Sequence, residues 1–371
     1  SSIVLPTNAD ANIHKVQESV SSKDIQRILN DCDDEDERLE TINKRIEKWS
    51  SRISDEISIK QSAVHKILQE LLLEEKENKK TYSLDNLEYK YEEYLALSGK
   101  NKIRGSKDFL IEEMDISKYD IPGVSQVVLV KKLKEIQVLV GFSRLQPISV
   151  ADMDDPHFVS IKQEDDNWYP GFEVRGEGIF IQFDMNKLSK WAESPFVIKR
   201  KEILLDNYEH STMNGRIHEY LDASFILLHT ISHLLIKQLS YECGYNIASL
   251  RERIYYMPEK DPETKMAGIL IYTASGDAEG TLGGLVRQGR EDCFTRIFKE
   301  AIEHAELCSN DPVCITSKGQ GRESLNLASC HACGLIPETS CEIYNIMLDR
   351  GLVVGTFEEP RDGFYSDWIN N

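Results

Sequence analysis

Five of the eight cysteines lie close together in the C-terminal part of the chain, between residues 308 and 341. The sequence Cys330-His331-Ala332-Cys333 places two thiols on one tight turn, where two thiolates can share a tetrahedral metal ion. Flanking cysteines can complete a closed site with four sulfur ligands, which is the usual form of a structural zinc site. The spacing therefore predicts one structural Zn²⁺ bound by Cys314, Cys330, Cys333 and Cys341, with Cys308 as the alternate to Cys314.

Two other uses of clustered cysteines are disfavoured by their context. Disulfides need an oxidising compartment, but no apolar signal peptide opens the chain and no apolar stretch is as long as a membrane span. We therefore expect a cytoplasmic protein without a membrane partner, although a start at Ser1 without Met is typical of a processed or excerpted chain. A redox pair would follow a strand at a helix N-terminus, whereas Cys330 and Cys333 lie among other cysteines in a predicted loop.

The charge of the chain disfavours naked nucleic acid as its sole partner. The 371 residues include 44 basic and 63 acidic ones, and the net charge of −19 repels phosphate backbones. Two short basic runs, at 131–132 and 199–201, could form a local strip, but runs of this length are more typical of solvated surface.

The N-terminal part of the chain has a helical pattern. Apolar residues recur at intervals of three and four from Leu39 to Ile53, and a second seam continues through Ile57, Val64 and Leu71. This pattern fits an ordinary amphipathic helix in its own domain and a partner-binding coiled coil equally well.

The central part changes to the pattern of strands. β-Branched and aromatic runs bounded by Pro and Gly predict strands at 124–130, 136–142 and 178–183. After Asn214, an almost uniformly apolar segment predicts a buried helix.

Two histidines on that helix, His229 and His233, are one turn apart on one face. The spacing suits a metal, but position 230 is Thr, so the general-base Glu of a zinc-protease helix is absent. We interpret the pair as core histidines. The alternative is a metalloenzyme site, which predicts a second bound metal.

A glycine-rich turn, SGDAEGTLGG, lies between a strand predicted at 266–273 and a helix from about Leu285. Helix N-termini bind phosphate, but no Gly-Lys-Ser/Thr sequence follows, and Asp277 and Glu279 would repel an anion. We interpret the turn as a packing device that depends on Gly276, Gly280, Gly283 and Gly284. Because the chain also lacks a Walker motif, a nucleophile elbow and clustered catalytic carboxylates, we predict that it is not an enzyme.

Three segments in this order carry a family resemblance: ILIYTASGDAEGTLGGLVRQG, CSNDPVC and ASCHACGLIPETSCEIYNIMLDRGLVVG. They are similar to the zinc-binding domain at the C-terminus of MrfA-type DNA-repair helicases, and most of all to the free-standing version in DrmB-like components of the DISARM anti-phage defence system. Two central segments, KLKEIQVLVGFSRL and WYPGFEVRGEGIFIQF, also resemble that family. The resemblance covers roughly residues 81–355. It implies metal ligands at Cys314, Cys330, Cys333 and Cys341, with Cys308 matching a further cysteine of the motif.

The resemblance further implies a non-catalytic bacterial protein that partners a DNA helicase, the A component of DISARM, and engages phage DNA through that complex. An independent nucleic-acid-binding zinc module is the main rival. The fold class we expect is mixed α+β. The predicted division is a polar lead and helical segment (1–80), a central mixed α/β region (81–210), a C-terminal α/β zinc-binding domain (211–355) and a tail (356–371).

Overall fold

A computed structural model describes most of the chain after residue 85 and parts of the N-terminal segment. It separates into two compact units, one made of residues 1–5 and 86–371 and the other of residues 6–85. The described residues are 2–3, 25, 28, 35–57, 60–62, 64–65, 68–69, 86–100, 108–143, 157–162, 168–217, 220–258, 265–273 and 283–370.

The unit of residues 6–85 contains the helix α1 (Glu35–Ile57). Four positions of the predicted seam, Ile42, Ile46, Trp49 and Ile53, are buried, which confirms a helix with one apolar face. In the second seam Val64 is buried, whereas the side chains of Ile57 and Leu71 lie outside the described residues. Whether this helix binds a partner stays a prediction.

The larger unit is built on an antiparallel sheet whose strands come from distant parts of the sequence. The strands are β1 (Ser2–Ile3), β2 (Leu110–Glu113), β3 (Val124–Val138), β4 (Gly141–Ser143), β5 (Phe158–Ser160), β6 (Gly171–Phe183), β7 (Leu250–Met257) and β8 (Met266–Thr273). Their spatial order in the sheet is β1-β3-β6-β8-β7, and β2 pairs with β3. A separate pair is formed by β4 and β5.

The predicted strand positions are mostly confirmed. The predictions at 178–183 and 266–273 lie within β6 and coincide with β8, respectively. The predictions at 124–130 and 136–142 were wrong in one respect, because the first run and the start of the second form the single strand β3. The charged residues between them do not interrupt β3, since it continues to pair with β6 across an irregularity between Val130 and Leu133.

Helices cover the sheet. The helices of this unit are α2 (Asn86–Leu97), α3 (Met185–Ala192), α4 (Pro195–Glu209), α5 (Ala223–Cys243), α6 (Gly284–Gln288), α7 (Glu291–Glu303), α8 (Gly351–Val354) and α9 (Ser366–Ile369). The helix α5 packs on the sheet, and all its residues from 223 to 236 are buried, as its uniformly apolar sequence predicts. Asp222 caps its N-terminus by accepting a hydrogen bond from the Phe225 amide, and Gly244 ends it with a φ of 69°.

Two hydrophobic clusters form the interior of this unit. The larger one contains residues of α5, α7 and the sheet, and the smaller one contains residues of α2 and the sheet. An antiparallel sheet with segregated helices confirms the mixed α+β class. The sheet takes strands from both sides of residue 210, and the predicted division into regions stays a prediction. None of the described helices is long and apolar enough to span a membrane.

Candidate metal centre

Four cysteines meet at the end of the segment that follows α7. Their sulfur atoms all lie within 4.8 Å of one another. The Sγ–Sγ distances are 3.5 Å between Cys308 and Cys330, 3.6 Å between Cys314 and Cys333, and 3.8 Å between Cys330 and Cys333. A tetrahedral zinc ion with Zn–S bonds of about 2.3 Å holds its sulfurs about 3.8 Å apart. The four-cysteine cluster, formed by Cys308, Cys314, Cys330 and Cys333, therefore fits a structural Zn²⁺.

Local backbone hydrogen bonds shape the two turns that carry these thiols. The amides of Gly334 and Leu335 donate to the carbonyl oxygen of Cys330, at 2.9 and 3.2 Å, and close the Cys330–Cys333 turn. In the other turn, the Cys314 amide donates to the Asn310 carbonyl at 3.0 Å. The Asn310 side chain also donates to the sulfur of Cys330 at 3.3 Å, so the two turns contact each other directly.

Cationic side chains surround the four-cysteine cluster. Lys237, on α5, donates to the carbonyl oxygens of Ala332 and Cys333 at 2.9 Å each. Burial lowers the pKa of Lys237, and the neighbouring cysteines oppose this shift. Four thiolates around a divalent ion leave a net negative charge, and a nearby ammonium group stabilises it.

One of the thiols ionises easily. A hydrogen bond with Cys333 lowers the pKa of Cys314 to about 5 despite partial burial, and contacts with Gln320 and Arg350 add to the shift. Arg350 itself is held by the carbonyl oxygens of Ala305 and Glu306, at 2.9 and 3.1 Å. The thiolate is the form of cysteine that binds zinc, so this environment favours metal binding.

The structure brings together three of the four predicted ligands and replaces the fourth. Cys308, the predicted alternate, joins the cluster together with Cys314 rather than instead of it. Cys341 lies elsewhere, because the residue before it is tied to β7: the Glu252 amide donates to the Ser340 carbonyl at 3.0 Å. The two pairs Cys308-x₅-Cys314 and Cys330-x₂-Cys333 were the available sequence signal for this grouping.

Cys341 belongs to a second group with His229, His233 and Glu252, whose ligand atoms also lie within 4.8 Å of one another. Both imidazoles and the carboxylate are fully buried. The predicted histidine pair therefore does lie in the core, but it faces two further groups that could bind a metal. Sequence reasoning missed Glu252, because its burial beside the helix is visible only in the folded structure.

The described part of the glycine turn does not offer a phosphate site. A carboxylate from β6, that of Glu177, accepts hydrogen bonds from the amides of Gly283 at 2.5 Å and Leu285 at 2.7 Å. The amides at the start of α6 therefore already have an anionic partner from the chain itself. Gly283 has a φ of 116°, as expected for a turn that depends on glycine, whereas residues 274–282, with Asp277 and Glu279, lie outside the described part.

This architecture, with a four-cysteine cluster beneath a buried helix, is that of a zinc-binding domain. Residues 231–334 match the family model of the MrfA Zn-binding domain, and this range contains all four cysteines of the cluster but not Cys341.

The chain is similar to the DISARM protein DrmB of Bacillus paralicheniformis, with 35% identity over 291 residues. The alignment covers 76% of this chain and 51% of that relative, so the chain spans about half the length of the curated protein that it matches. Both findings confirm the resemblance seen in the sequence.

Proposed function

We propose that this chain is a non-catalytic, zinc-binding subunit of a DISARM-type anti-phage defence system, in which it works with a DNA helicase. The observation that carries the proposal is the similarity to DrmB over 76% of the chain, combined with a four-cysteine cluster inside the matched MrfA Zn-binding domain. The four cysteines leave no open position for water on a tetrahedral ion, so the zinc stabilises the fold and does not activate a nucleophile.

A non-catalytic role is supported by the one region that most resembles a nucleotide site. The start of α6 is capped by Glu177, and a buried carboxylate at that position repels a phosphate group. This region therefore offers no nucleotide site that could drive movement along DNA. A helicase subunit would supply the ATPase.

The charges of the chain support a partner as well. A net charge of −19 opposes unaided DNA binding. Both short basic runs contain a residue that pairs within the chain: Lys131 lies 2.8 Å from Glu112, and Arg200 forms an ion pair with the buried Asp349 at 2.6 Å. These runs are poorly suited to neutralising phosphates, so a positively charged path for DNA would come from another subunit.

The proposal is tested by co-purification from cells that express the tagged chain with its gene neighbourhood. We expect a stable complex with a helicase that persists in salt concentrations sufficient to release DNA, because a packed apolar interface does not weaken with salt as ionic contacts do. Recovery of the tagged chain alone would contradict the proposal and favour the independent nucleic-acid-binding module. That module would bind DNA unaided with an affinity that falls steeply with salt.

A further inference from the structure

The second group of possible ligands lies in the interior, between α5, β7 and the loop that follows the four-cysteine cluster. This buried cluster consists of His229 and His233 from α5, Glu252 from β7, and Cys341 from the loop. Its ligand atoms are close: His229 Nε2 lies 3.3 Å from Cys341 Sγ and 3.1 Å from Glu252 Oε1, and His233 Nε2 lies 3.4 Å from Glu252 Oε1.

These distances, 3.1–3.4 Å, are close to those between ligands that share a tetrahedral metal ion. Zinc binds imidazole nitrogen and carboxylate oxygen at about 2.0–2.2 Å and thiolate sulfur at about 2.3 Å, which places the ligand atoms roughly 3.3–3.8 Å apart. Two imidazoles, one carboxylate and one thiolate are all common zinc ligands, and four of them complete the tetrahedron.

Hydrogen bonds from neighbouring groups orient three of the four ligands, His233, Glu252 and Cys341. The Nδ1 atom of His233 lies 2.8 Å from the carbonyl oxygen of Gly334, a contact that places the ring proton on Nδ1 and leaves the lone pair of Nε2 free. His233 Nε2 is buried, and the atom that it faces, Oε1 of Glu252 at 3.4 Å, is a hydrogen-bond acceptor that cannot satisfy an unprotonated nitrogen. An unpaired nitrogen in the interior is costly unless another group, such as a metal ion, satisfies it.

Glu252 and Cys341 are oriented in the same way. The remaining carboxylate oxygen, Oε2, accepts a hydrogen bond from the hydroxyl of Ser232, and Oε1 also accepts one from the Glu342 amide at 3.0 Å. The sulfur of Cys341 accepts hydrogen bonds from the amides of Ile343 at 3.3 Å and Asn345 at 3.2 Å. Amide donors of this kind stabilise a thiolate rather than a thiol.

We propose that His229, His233, Glu252 and Cys341 bind a second zinc ion, distinct from the one in the four-cysteine cluster. With four protein ligands and no open position, this ion is structural rather than catalytic. It joins the helix at 223–243 and the strand at 250–257 to the loop after residue 340, which lies far from both in the sequence. This assignment uses Cys341 as a metal ligand, but in a different site from the one that its position near Cys333 predicts.

The first test is the metal content of the full-length protein, measured by elemental analysis after dialysis. We expect about two zinc ions per chain, because two closed sites each bind one ion. X-ray absorption at the zinc edge should show a mixture of sulfur and nitrogen or oxygen neighbours in the unmodified protein. About one zinc ion per chain with a shell of sulfur alone would overturn the proposal, and this measurement does not depend on a variant that folds.

Variants then locate the second ion. Glu252→Gln and Cys341→Ser should each reduce the content from about two zinc ions to about one and leave a sulfur-only shell. Cys243→Ser is the matched control, since this cysteine lies on the same helix as the histidines but in neither cluster, and it should retain both ions. Retention of both ions by Glu252→Gln and Cys341→Ser alike would overturn the assignment.

Discussion

The Nδ1 atom of His233 lies 2.8 Å from the carbonyl oxygen of Gly334, the residue that directly follows Cys333. A hydrogen bond therefore connects the turn that carries two thiols of the four-cysteine cluster to the helix that carries both histidines of the buried cluster. Lys237, one turn further along the same helix, contacts the same turn through two carbonyl oxygens. Because these contacts are shared, loss of zinc from the four-cysteine cluster should loosen α5 as well as the turn itself.

The first prediction concerns the ligand set of the four-cysteine cluster. Cys333→Ser and Cys308→Ser should both remove zinc from this site and destabilise the C-terminal part of the chain by several kcal/mol, because zinc binding contributes directly to folding. Cys293→Ser is the control, since this half-buried cysteine on α7 belongs to neither cluster. Zinc analysis and thermal unfolding, each with and without a chelator, provide the measurement.

The result for Cys308 distinguishes the structure from the sequence-based expectation. If Cys308→Ser bound as much zinc as the unmodified protein, Cys308 would not be a ligand, which would favour the set of Cys314, Cys330, Cys333 and Cys341 and contradict the grouping in the structure. Equal destabilisation by Cys293→Ser and Cys333→Ser would show that the effect does not come from metal binding.

The sequence predicted correctly those structural elements whose pattern lies within a short segment of the chain. The Cys330-x₂-Cys333 turn, the apolar helix and the strand at 266–273 each depend on residues close together in the chain, and the structure has all three. Cys341 could not be placed in this way. Its position depends on the hydrogen bond between Glu252 and Ser340, which are 88 residues apart, and no local pattern encodes that pairing. Glu252 reaches the histidines because β7 packs on α5, and this tertiary contact is likewise not encoded in a local pattern.

The second prediction concerns the glycine turn. Gly283→Val should prevent correct folding, because a β-branched residue resists the φ of 116° found there, even though nothing among the described residues lies within 4 Å of an added Cβ. Gly244→Asn is the control, since its φ of 69° is one that asparagine readily adopts, and nothing lies within 4 Å of an added Cβ. Circular dichroism and gel filtration of both variants would show the difference.

The turn also offers a direct check on the absence of a nucleotide site. A Gly283→Val protein that folds normally but has lost affinity for ATP would contradict a packing role and restore the phosphate-binding interpretation. ATP turnover by the purified, unmodified chain would contradict the non-catalytic proposal in the same way.

The third prediction concerns a buried ion pair that connects α4 to the segment after the clusters. Arg200 donates two hydrogen bonds to the carboxylate of Asp349, at 2.6 and 2.7 Å, and the Asp349 side chain is fully buried. Asp349→Asn should lower the free energy of unfolding by about 3–5 kcal/mol, because it leaves a buried guanidinium without its counter-charge.

Chemical denaturation measures this loss, and an exposed ion pair provides the comparison. Glu291→Gln breaks the contact with Lys118, whose side chain is 52% exposed, and should change the stability little. Similar effects of the two substitutions would contradict the importance assigned to the buried pair.

The proposal that this chain engages DNA only together with a helicase subunit can be tested by fluorescence anisotropy with labelled single- and double-stranded DNA. The chain alone, the helicase alone and the reconstituted complex would be titrated at several salt concentrations. We predict that the complex binds DNA at least about tenfold more tightly than the chain alone, a difference of ~1.4 kcal/mol, because the net charge of −19 opposes unaided binding. If the isolated chain bound DNA as tightly as the complex does, the proposal that it needs a helicase subunit to engage DNA would be wrong.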